Sequence, residues 1–236
     1  MNSQTRAVSA RDRLIVALDV PTRTEALNLV HELSSEVGFF KIGLQLYTAE
    51  GPGIVREVLA TGAKVFLDLK LHDIPNTVGR AVESATQVGV HMLTIHLCGG
   101  EEMIRAAVAA RKTNLLILGV TVLTSADEQT LRQVGISNEI HDHVSRLAKL
   151  GVEAGIDGLV ASAHEVKMLR AEFGTEIKLV VPGIRPSWAE AGDQKRATTA
   201  REALDSGADY LVIGRPIIAH SSPREAVGNI LDEVGR

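Results

Sequence analysis

Short apolar runs alternate along this chain with longer amphipathic segments. The runs are rich in Val, Leu and Ile, and they predict strands at 14–18, 39–44, 64–70, 91–97, 114–123, 158–162, 178–181 and 210–213. Helical patterns are predicted at 22–36, 46–61, from 76, after the Gly99-Gly100 pair, at 141–154, 164–173, 196–206 and 223–234, with a short helix possible within 124–138.

This alternation, without any hairpin signal, favours an α/β protein with one (β/α)8 TIM-barrel domain. An open doubly wound sheet is the alternative that periodicity leaves open, although no G-x-G-x-x-G motif follows the first strand. We expect residues 1–12 to form a flexible N-terminus and residues 13–236 to form the catalytic barrel domain. No linker or low-complexity tract divides the chain.

Composition narrows the possible functions. The chain has 236 residues, 45% of them hydrophobic but only 3% aromatic, so its core is expected to be aliphatic. A formal charge of −4 argues against a nucleic-acid binder. There is no apolar run of membrane-spanning length and no signal-peptide pattern, and Cys98 is the single cysteine. We therefore expect a cytoplasmic protein without a membrane partner.

The most informative stretch is FLDLKLHDIPNTV, from Phe66 to Val78. Asp68 and Lys70 are two residues apart on a predicted strand and therefore share a face. Asp73 follows just before Pro75, where the strand must end. Such charges are costly to bury unless they are paired. On its own the pattern is better explained as a structural ion pair at a strand end than as a catalytic site.

Other strand ends carry polar residues too. In a barrel these ends meet at one mouth, so the residues are expected to lie together: Asp19, Lys41, Asp68, Lys70, His96, Thr124, Arg185 and Arg215. Gly183-Ile184-Arg185 and Gly214-Arg215-Pro216 follow the last two strands, where barrels commonly bind phosphate. The polar segment 182–197 is in position to be a lid, with Gln194 as a contact, although a plain surface loop is also consistent.

Histidine and cysteine give no metal site. His96 is interpreted either as a general base or as a packed histidine, and Cys98 as a small packed residue and not a nucleophile. His141 and His143 are two apart on a predicted helix and do not share a face.

The chain resembles the orotidine 5′-monophosphate decarboxylase family over nearly its whole length. The resemblance is carried by LIVALDV, FKIGLQL, FLDLKLHDIPNTV, GVTVLTS, VPGIRP, the DQKR segment and LVIGRPI. The central motif together with Lys41 is the most specific part. The resemblance implies decarboxylation of orotidine 5′-monophosphate to UMP, the last step of de novo UMP biosynthesis, without a metal or organic cofactor.

It also implies residue roles. An alternating charged network would be formed by Lys41, Asp68, Lys70 and Asp73. In this network Lys70 would protonate C6, and Asp68 would lie near the substrate carboxylate. Asp73, Ile74 and Thr77 would be contributed across a homodimer interface to the partner's site. The remaining contacts implied are Asp19 and Lys41 to the ribose, Thr124 over the pyrimidine, and Arg185, Gln194, Gly214 and Arg215 at the phosphate.

These residue types suit the chemistry. Loss of CO2 leaves a carbanion at C6 with little resonance stabilisation, so the site must stabilise it electrostatically. An ammonium group does so and can then deliver a proton.

Two alternatives stay open at the level of sequence. One is an Mg²⁺-dependent sugar-phosphate decarboxylase or aldolase of the same barrel group, but those enzymes carry a carboxylate where this chain has Lys41. The other is a non-catalytic phosphate-ligand binder, which would have no need of a lysine flanked by acids.

Overall fold

A computed structural model describes residues 9–112, 114–186, 188 and 198–235. Its strands are β1 Leu14–Ala17, β2 Phe39–Gly43, β3 Lys64–Leu71, β4 Met92–His96, β5 Leu116–Val120, β6 Gly158–Val160, β7 Lys178–Val181 and β8 Tyr210–Ile213. Each strand pairs in parallel with the next along the chain, and β8 closes onto β1. The fold is therefore the closed (β/α)8 barrel that the alternating pattern predicts, and not an open sheet.

Helices cover the outside of the barrel. They are α1 Ala10–Arg13, α2 Arg23–Leu33, α3 Leu44–Glu50, α4 Pro52–Ala60, α5 Pro75–Val88, α6 Glu101–Ala110, α7 Glu128–Gln133, α8 Ile140–Glu153, α9 Val166–Phe173, α10 Ala200–Asp205, α11 Arg215–Ile218 and α12 Pro223–Val234. A short 3-10 helix, Leu97–Gly99, follows β4. Across the described residues, no helix has both the length and the apolar composition needed to cross a membrane.

The single helix predicted at 46–61 is wrong. The structure has two helices there, α3 and α4, separated at Gly51. Gly51 adopts a φ of 65°, which glycine tolerates without a steric penalty. Pro52 then begins α4, where its missing N–H costs nothing, whereas inside one continuous helix it would remove a hydrogen bond.

Other predicted boundaries also differ. The fifth strand, predicted to run to residue 123, ends at Val120, because its neighbours supply their last ladder partners there, His96 on one side and Val160 on the other. At the N-terminus, the predicted flexible segment 1–12 overlaps helix α1, which Ser9 caps through a bond from the Asp12 N–H. Residues 1–8 lie outside the described residues.

Buried apolar side chains form two separate layers. One fills the barrel interior with Ile15, Ala17, Phe39, Phe66, Met92, Leu118, Val180 and Val212. The other lies between strands and helices and takes the opposite faces of the same strands, as Val16, Phe40 and Val65 illustrate. Because successive strand side chains alternate in direction, the interior layer fixes which later residues of each strand point into the mouth.

A recurring hydrogen-bond pair ties the amino ends of neighbouring strands together. His91, immediately before β4, accepts the Val65 N–H through Nδ1 at 3.2 Å and donates its own N–H to the Val65 carbonyl at 2.9 Å. Asp157, before β6, makes the same exchange with Ile117. Asp209, before β8, makes it with Leu179.

The two aspartates are also paired with arginines. Asp157 accepts from Arg111, and Asp209 accepts from Arg170 Nη2 at 2.6 Å. These side chains supply acceptors to strand N–H groups that have no partner further down the barrel. They are structural residues at the end of the barrel opposite the mouth.

His91 makes stability depend on pH. Desolvation, and then the nearby Lys64 charge, lower the pKa of His91 from its ordinary 6.5. Folded His91 therefore binds a proton less readily than unfolded His91, so stability is full above about pH 6.5 and falls as the pH drops through the folded pKa. We expect His91→Asn, which keeps an acceptor but does not titrate, to lose less stability between pH 7.5 and pH 5.5 than the wild type in urea unfolding.

The exposed His31 on α2 provides the matched control, since His31→Asn should leave the wild-type pH dependence unchanged. An identical pH dependence in His91→Asn and the wild type would contradict the assignment.

Candidate active site at the barrel mouth

Strand alternation brings the first charged residues of the mouth together. Asp19, Lys41 and Asp68 each lie two residues beyond an interior-layer residue of β1, β2 and β3. Their side chains consequently point into the barrel axis at the carboxyl ends of the strands, as expected from the sequence.

Four charged side chains alternate in sign across this mouth. Lys41 Nζ lies 3.0 Å from Asp19 Oδ1 and 3.7 Å from Asp68 Oδ2. Lys70 Nζ lies 2.8 Å from Asp68 Oδ1 and 2.9 Å from Oδ2. Lys41 and Asp68 are the more buried members, and each has oppositely charged neighbours on both sides. This pairing offsets the desolvation cost that an isolated buried charge would carry.

The backbone at Lys70 is irregular. β3 advances from Leu67 to Leu71 while β4 advances only from Leu93 to Ile95, so the two strands lose register between these points. Lys70 has a φ of 51°, an uncommon value for a residue other than glycine. This bulge keeps Asp68 and Lys70 next to each other at the mouth.

Thr94 on β4 fills the gap opposite the bulge. Its Oγ1 accepts the Lys70 N–H at 2.9 Å and donates to Asp68 Oδ1 at 2.9 Å. Thr94 is fully buried and was not among the residues predicted from the sequence. The available signal was its position two residues after the interior residue Met92, on the face that also carries His96.

The opposite wall of the mouth is apolar. A cavity of about 140 Å³ is lined on one side by Lys41, Asp68 and Lys70. The rest of its lining comes from Phe66, Val120, Val122, Leu123, Thr124, Val160, Pro182 and Val212. A flat, partly apolar ligand could therefore contact ammonium groups along one edge and aliphatic groups elsewhere. Thr124 lies in this lining, as expected.

Residues predicted to bind phosphate follow β7 and β8. Arg185 is buried, and its N–H donates to the Thr198 carbonyl at 3.0 Å while Nη1 donates to the Ile184 carbonyl. A Cβ at Gly214 would lie 3.4 Å from Asp19 Oδ2, so this glycine directly adjoins the charged network. Arg215 is exposed at the start of α11. Gln194 and most of the predicted lid, 182–197, lie outside the described residues.

Asp73, Ile74 and Thr77 lie apart from the network. All three are exposed, and Ile74 is 65% accessible although it is apolar. Asp73 Oδ1 accepts the Ile74 N–H at 2.6 Å. Among the described residues of this single chain, no ion pair joins Asp73 to Lys70, so within one chain the alternating network comprises Asp19, Lys41, Asp68 and Lys70.

His96 lies beside the network, with its ring 5.8 Å from that of His72. Desolvation lowers the pKa of His96, as do the charges of His72 and Lys70, so the neutral imidazole is favoured. Its Nδ1 is buried without a hydrogen-bond partner in the described structure. Cys98 is exposed, which corrects the expectation that it is packed, and desolvation raises the pKa of its thiol. A raised pKa disfavours the nucleophilic thiolate.

Within residues 9–112, 114–186, 188 and 198–235, no three His, Cys, Asp or Glu side chains cluster as metal ligands would. Between the Asp19 and Asp68 carboxylates, the Lys41 ammonium already supplies a positive charge.

Fold and site together define a class: a (β/α)8-barrel enzyme with a charged centre at the carboxyl ends of its strands. Residues 12–230 match the Orotidine 5′-phosphate decarboxylase / HUMPS family, and the chain belongs to that family. The resemblance recognised from the sequence motifs is confirmed.

Relatives agree over nearly full length. The chain is 48% identical to an orotidine 5′-phosphate decarboxylase of Carboxydothermus hydrogenoformans, covering 94% of this chain and 96% of the relative. It is 44% identical to that of Heliobacterium modesticaldum, covering 96% and 97%. The crystal structure of orotidine 5′-phosphate decarboxylase from Lactobacillus acidophilus superimposes with a TM-score of 0.83 at 32% identity, covering 94% of this chain and 99% of that one.

Gly43 is a further residue that the sequence did not single out. A Cβ there would lie 2.9 Å from Lys41 Nζ and 3.5 Å from Asp19 Oδ1. Its φ of −97° suits any residue, so the missing side chain serves space and not backbone freedom. We expect Gly43→Ala to fold normally but to open the Lys41–Asp19 separation from 3.0 Å. A crystal structure should find it beyond about 4 Å, the limit of an ion pair.

Gly53→Ala is the matched control, because a Cβ at Gly53 meets no atom within 4 Å. An unchanged Lys41–Asp19 contact in Gly43→Ala would contradict the packing argument.

Proposed function

We propose that this chain decarboxylates orotidine 5′-monophosphate to UMP, the final step of de novo pyrimidine biosynthesis, without a metal or organic cofactor. The observation that carries the proposal is the Asp19–Lys41–Asp68–Lys70 network facing an apolar wall across one small cavity. Family membership and the names of the relatives support the same activity.

Lys70 is proposed to act on C6 of the pyrimidine. The bond from C6 to the carboxylate carbon breaks, its electron pair stays on C6, and CO2 departs. The Lys70 ammonium stabilises this carbanion and transfers a proton to it, forming the C6–H bond of UMP. Solvent then returns a proton to Lys70. Asp68 holds the ammonium and, near the substrate carboxylate, raises the energy of the bound ground state.

The remaining residues hold the substrate. Asp19 and Lys41, already bonded to each other at 3.0 Å, are proposed to bind the ribose hydroxyls. Thr124 is proposed to lie over the pyrimidine. The phosphate is proposed to be bound or covered by Arg185, Gln194, Gly214 and Arg215. The guanidinium group of an arginine can donate two parallel hydrogen bonds to phosphate oxygens. Binding the distant phosphate provides energy that can be used at C6.

We also propose a homodimer in which Asp73, Ile74 and Thr77 complete the partner's site. The exposure of all three supports this, because Ile74 presents a large apolar side chain to solvent at the end of β3. An Asp73 from the partner would extend the alternating network by one more carboxylate beyond Lys70. A cytoplasmic location and the absence of nucleic-acid partners remain predictions from composition.

The Mg²⁺-dependent alternative is disfavoured by Lys41. Its ammonium is bonded to Asp19 and lies 3.7 Å from Asp68, so a divalent cation bridging these carboxylates would be repelled. The non-catalytic binder is disfavoured by the backbone at Lys70. Lys70 lines the cavity with an unfavourable positive φ, and backbone strain of this kind is concentrated at active sites, whereas simple ligand binding would not require it.

Turnover should follow directly from mixing enzyme and substrate. We expect the orotate ultraviolet absorbance of orotidine 5′-monophosphate to fall rapidly in the presence of EDTA, with UMP as the product. Lys70→Ala should lower the rate by more than about a thousandfold, since it removes the charge that stabilises the carbanion and the proton donor.

Lys167→Ala, which changes an exposed lysine on α9, is the matched control and should match the wild type. Turnover of a sugar phosphate only after Mg²⁺ is supplied, with no loss of orotidine 5′-monophosphate, would contradict the proposal and the role of Lys41.

Subunit mixing tests the shared site. Lys70→Ala and Asp73→Asn homodimers should each be nearly inactive, but a mixed dimer contains one site with intact Lys70 and intact Asp73. After exchange of equal amounts, activity should recover toward about a quarter of the wild type, because half of the dimers are mixed and each has one intact site. No recovery, with exchange verified by mass-tagged subunits, would sink the trans assignment.

A further inference from the structure

Thr94 has an environment that a purely structural threonine in a barrel strand does not need. It lies on β4 between Met92 and His96 and is 0% exposed. Met92 belongs to the interior layer, so Thr94 points into the barrel at the height where β3 loses its register. A valine of the same shape would satisfy the packing there without a polar atom.

The hydroxyl group of Thr94 contacts both the backbone of Lys70 and the carboxylate that pairs with the Lys70 side chain. As an acceptor it takes the Lys70 main-chain N–H, which the bulge has moved out of the regular β3–β4 ladder. As a donor it binds Asp68 Oδ1, the same oxygen that accepts from Lys70 Nζ. One hydroxyl thus fixes both the strained backbone of Lys70 and the carboxylate that orients its ammonium.

Losing this hydroxyl would loosen Lys70 in two ways. The partly buried Lys70 N–H would lose its hydrogen-bond acceptor. The backbone conformation of Lys70, with its φ of 51°, would then be less stable. The Asp68 carboxylate would lose a donor that resists rotation of its oxygens away from Lys70. Small shifts of a reacting group are costly, because catalysis depends on position at the scale of an ångström.

We propose that Thr94 is a positioning residue for the Asp68–Lys70 pair: its hydroxyl closes the β3 bulge and aims the Lys70 ammonium at C6. It touches no substrate atom in this assignment. The inference rests on the proposed function, in which Lys70 is the proton donor. It goes beyond that function because it makes the rate depend on a residue outside the charged network.

The test compares Thr94→Val, which keeps the shape, with Thr94→Ser, which keeps the hydroxyl. Thr94→Val should lower kcat roughly ten- to hundredfold with KM for orotidine 5′-monophosphate within about threefold, since only alignment at C6 is lost. Thr94→Ser should restore kcat to within about threefold of the wild type. The dissociation constant for UMP should be similar in all three proteins.

Thr121→Val is the matched control. Thr121, directly after β5, is also a buried threonine, but its hydroxyl donates to the Val160 carbonyl at 3.3 Å, and within the described part of the chain no hydrogen bond joins it to the charged network. It should leave kcat close to the wild type. Should Thr94→Val fail to fold by circular dichroism, Thr94→Ala gives the same comparison with Thr94→Ser.

Equal kcat values for Thr94→Val and the wild type would overturn the positioning role, as would an equal loss in Thr94→Ser. In either case an active wild type and an inactive Lys70→Ala would leave the proposed function standing. A wild type that does not decarboxylate orotidine 5′-monophosphate would overturn both.

Discussion

The ion pair between Asp68 and Lys70 is the interaction on which the mouth of this barrel depends. Both oxygens of the Asp68 carboxylate accept from the Lys70 ammonium, and Oδ2 also lies near the Lys41 ammonium. Without Asp68, two ammonium groups would face each other in a partly buried cavity with no shared counter-charge, which is strongly unfavourable. Asp68 is thus the central member that makes it possible to hold two lysines close together at the mouth.

The barrel separates stability from chemistry along its axis. At the amino ends, one hydrogen-bond exchange, made by His91, Asp157 and Asp209, pairs β4, β6 and β8 with the strand before each of them. These contacts keep regular backbone in register. At the carboxyl ends, β3 gives up register between Leu67 and Leu71 and carries a positive φ. A strained bulge at one end is tolerable because regular pairing along the rest of the sheet constrains it.

The sequence predicted the barrel well because its signal is repeated. Strand and helix periodicities recur eight times, so an error at one boundary does not change the predicted order of strands and helices. The boundaries that failed depended on partners far away in the chain, as at Val120, or on a local glycine–proline break, as at Gly51. Periodicity within a segment carries no information about where the strand next to it ends.

For the site, charge made the prediction possible. Asp19, Lys41, Asp68 and Lys70 stand out because ionised residues at the ends of apolar strands need partners, and barrel closure makes them one another's partners. Thr94 and Gly43 carry no such signal. A threonine in a strand and a glycine at a strand end are ordinary in sequence. What sets them apart is the register shift beside Thr94 and the 2.9 Å at which a Cβ on Gly43 would meet Lys41 Nζ, and both are visible only in three dimensions.

The arrangement of charges also shows why an ammonium held in one position suits the proposed reaction. In the proposed reaction the substrate's negative charge moves, as CO2 leaves, from the carboxylate to C6, where Lys70 is proposed to act. A cation fixed on the C6 side therefore gains more attraction in the transition state than in the ground state, and only that difference accelerates the reaction. In this proposal Asp68, hydrogen-bonded to Lys70 through both carboxylate oxygens, holds the ammonium on the C6 side. A rigid, partly buried ion pair contributes little to folding stability, but in the proposed reaction it stabilises the transition state more than the ground state.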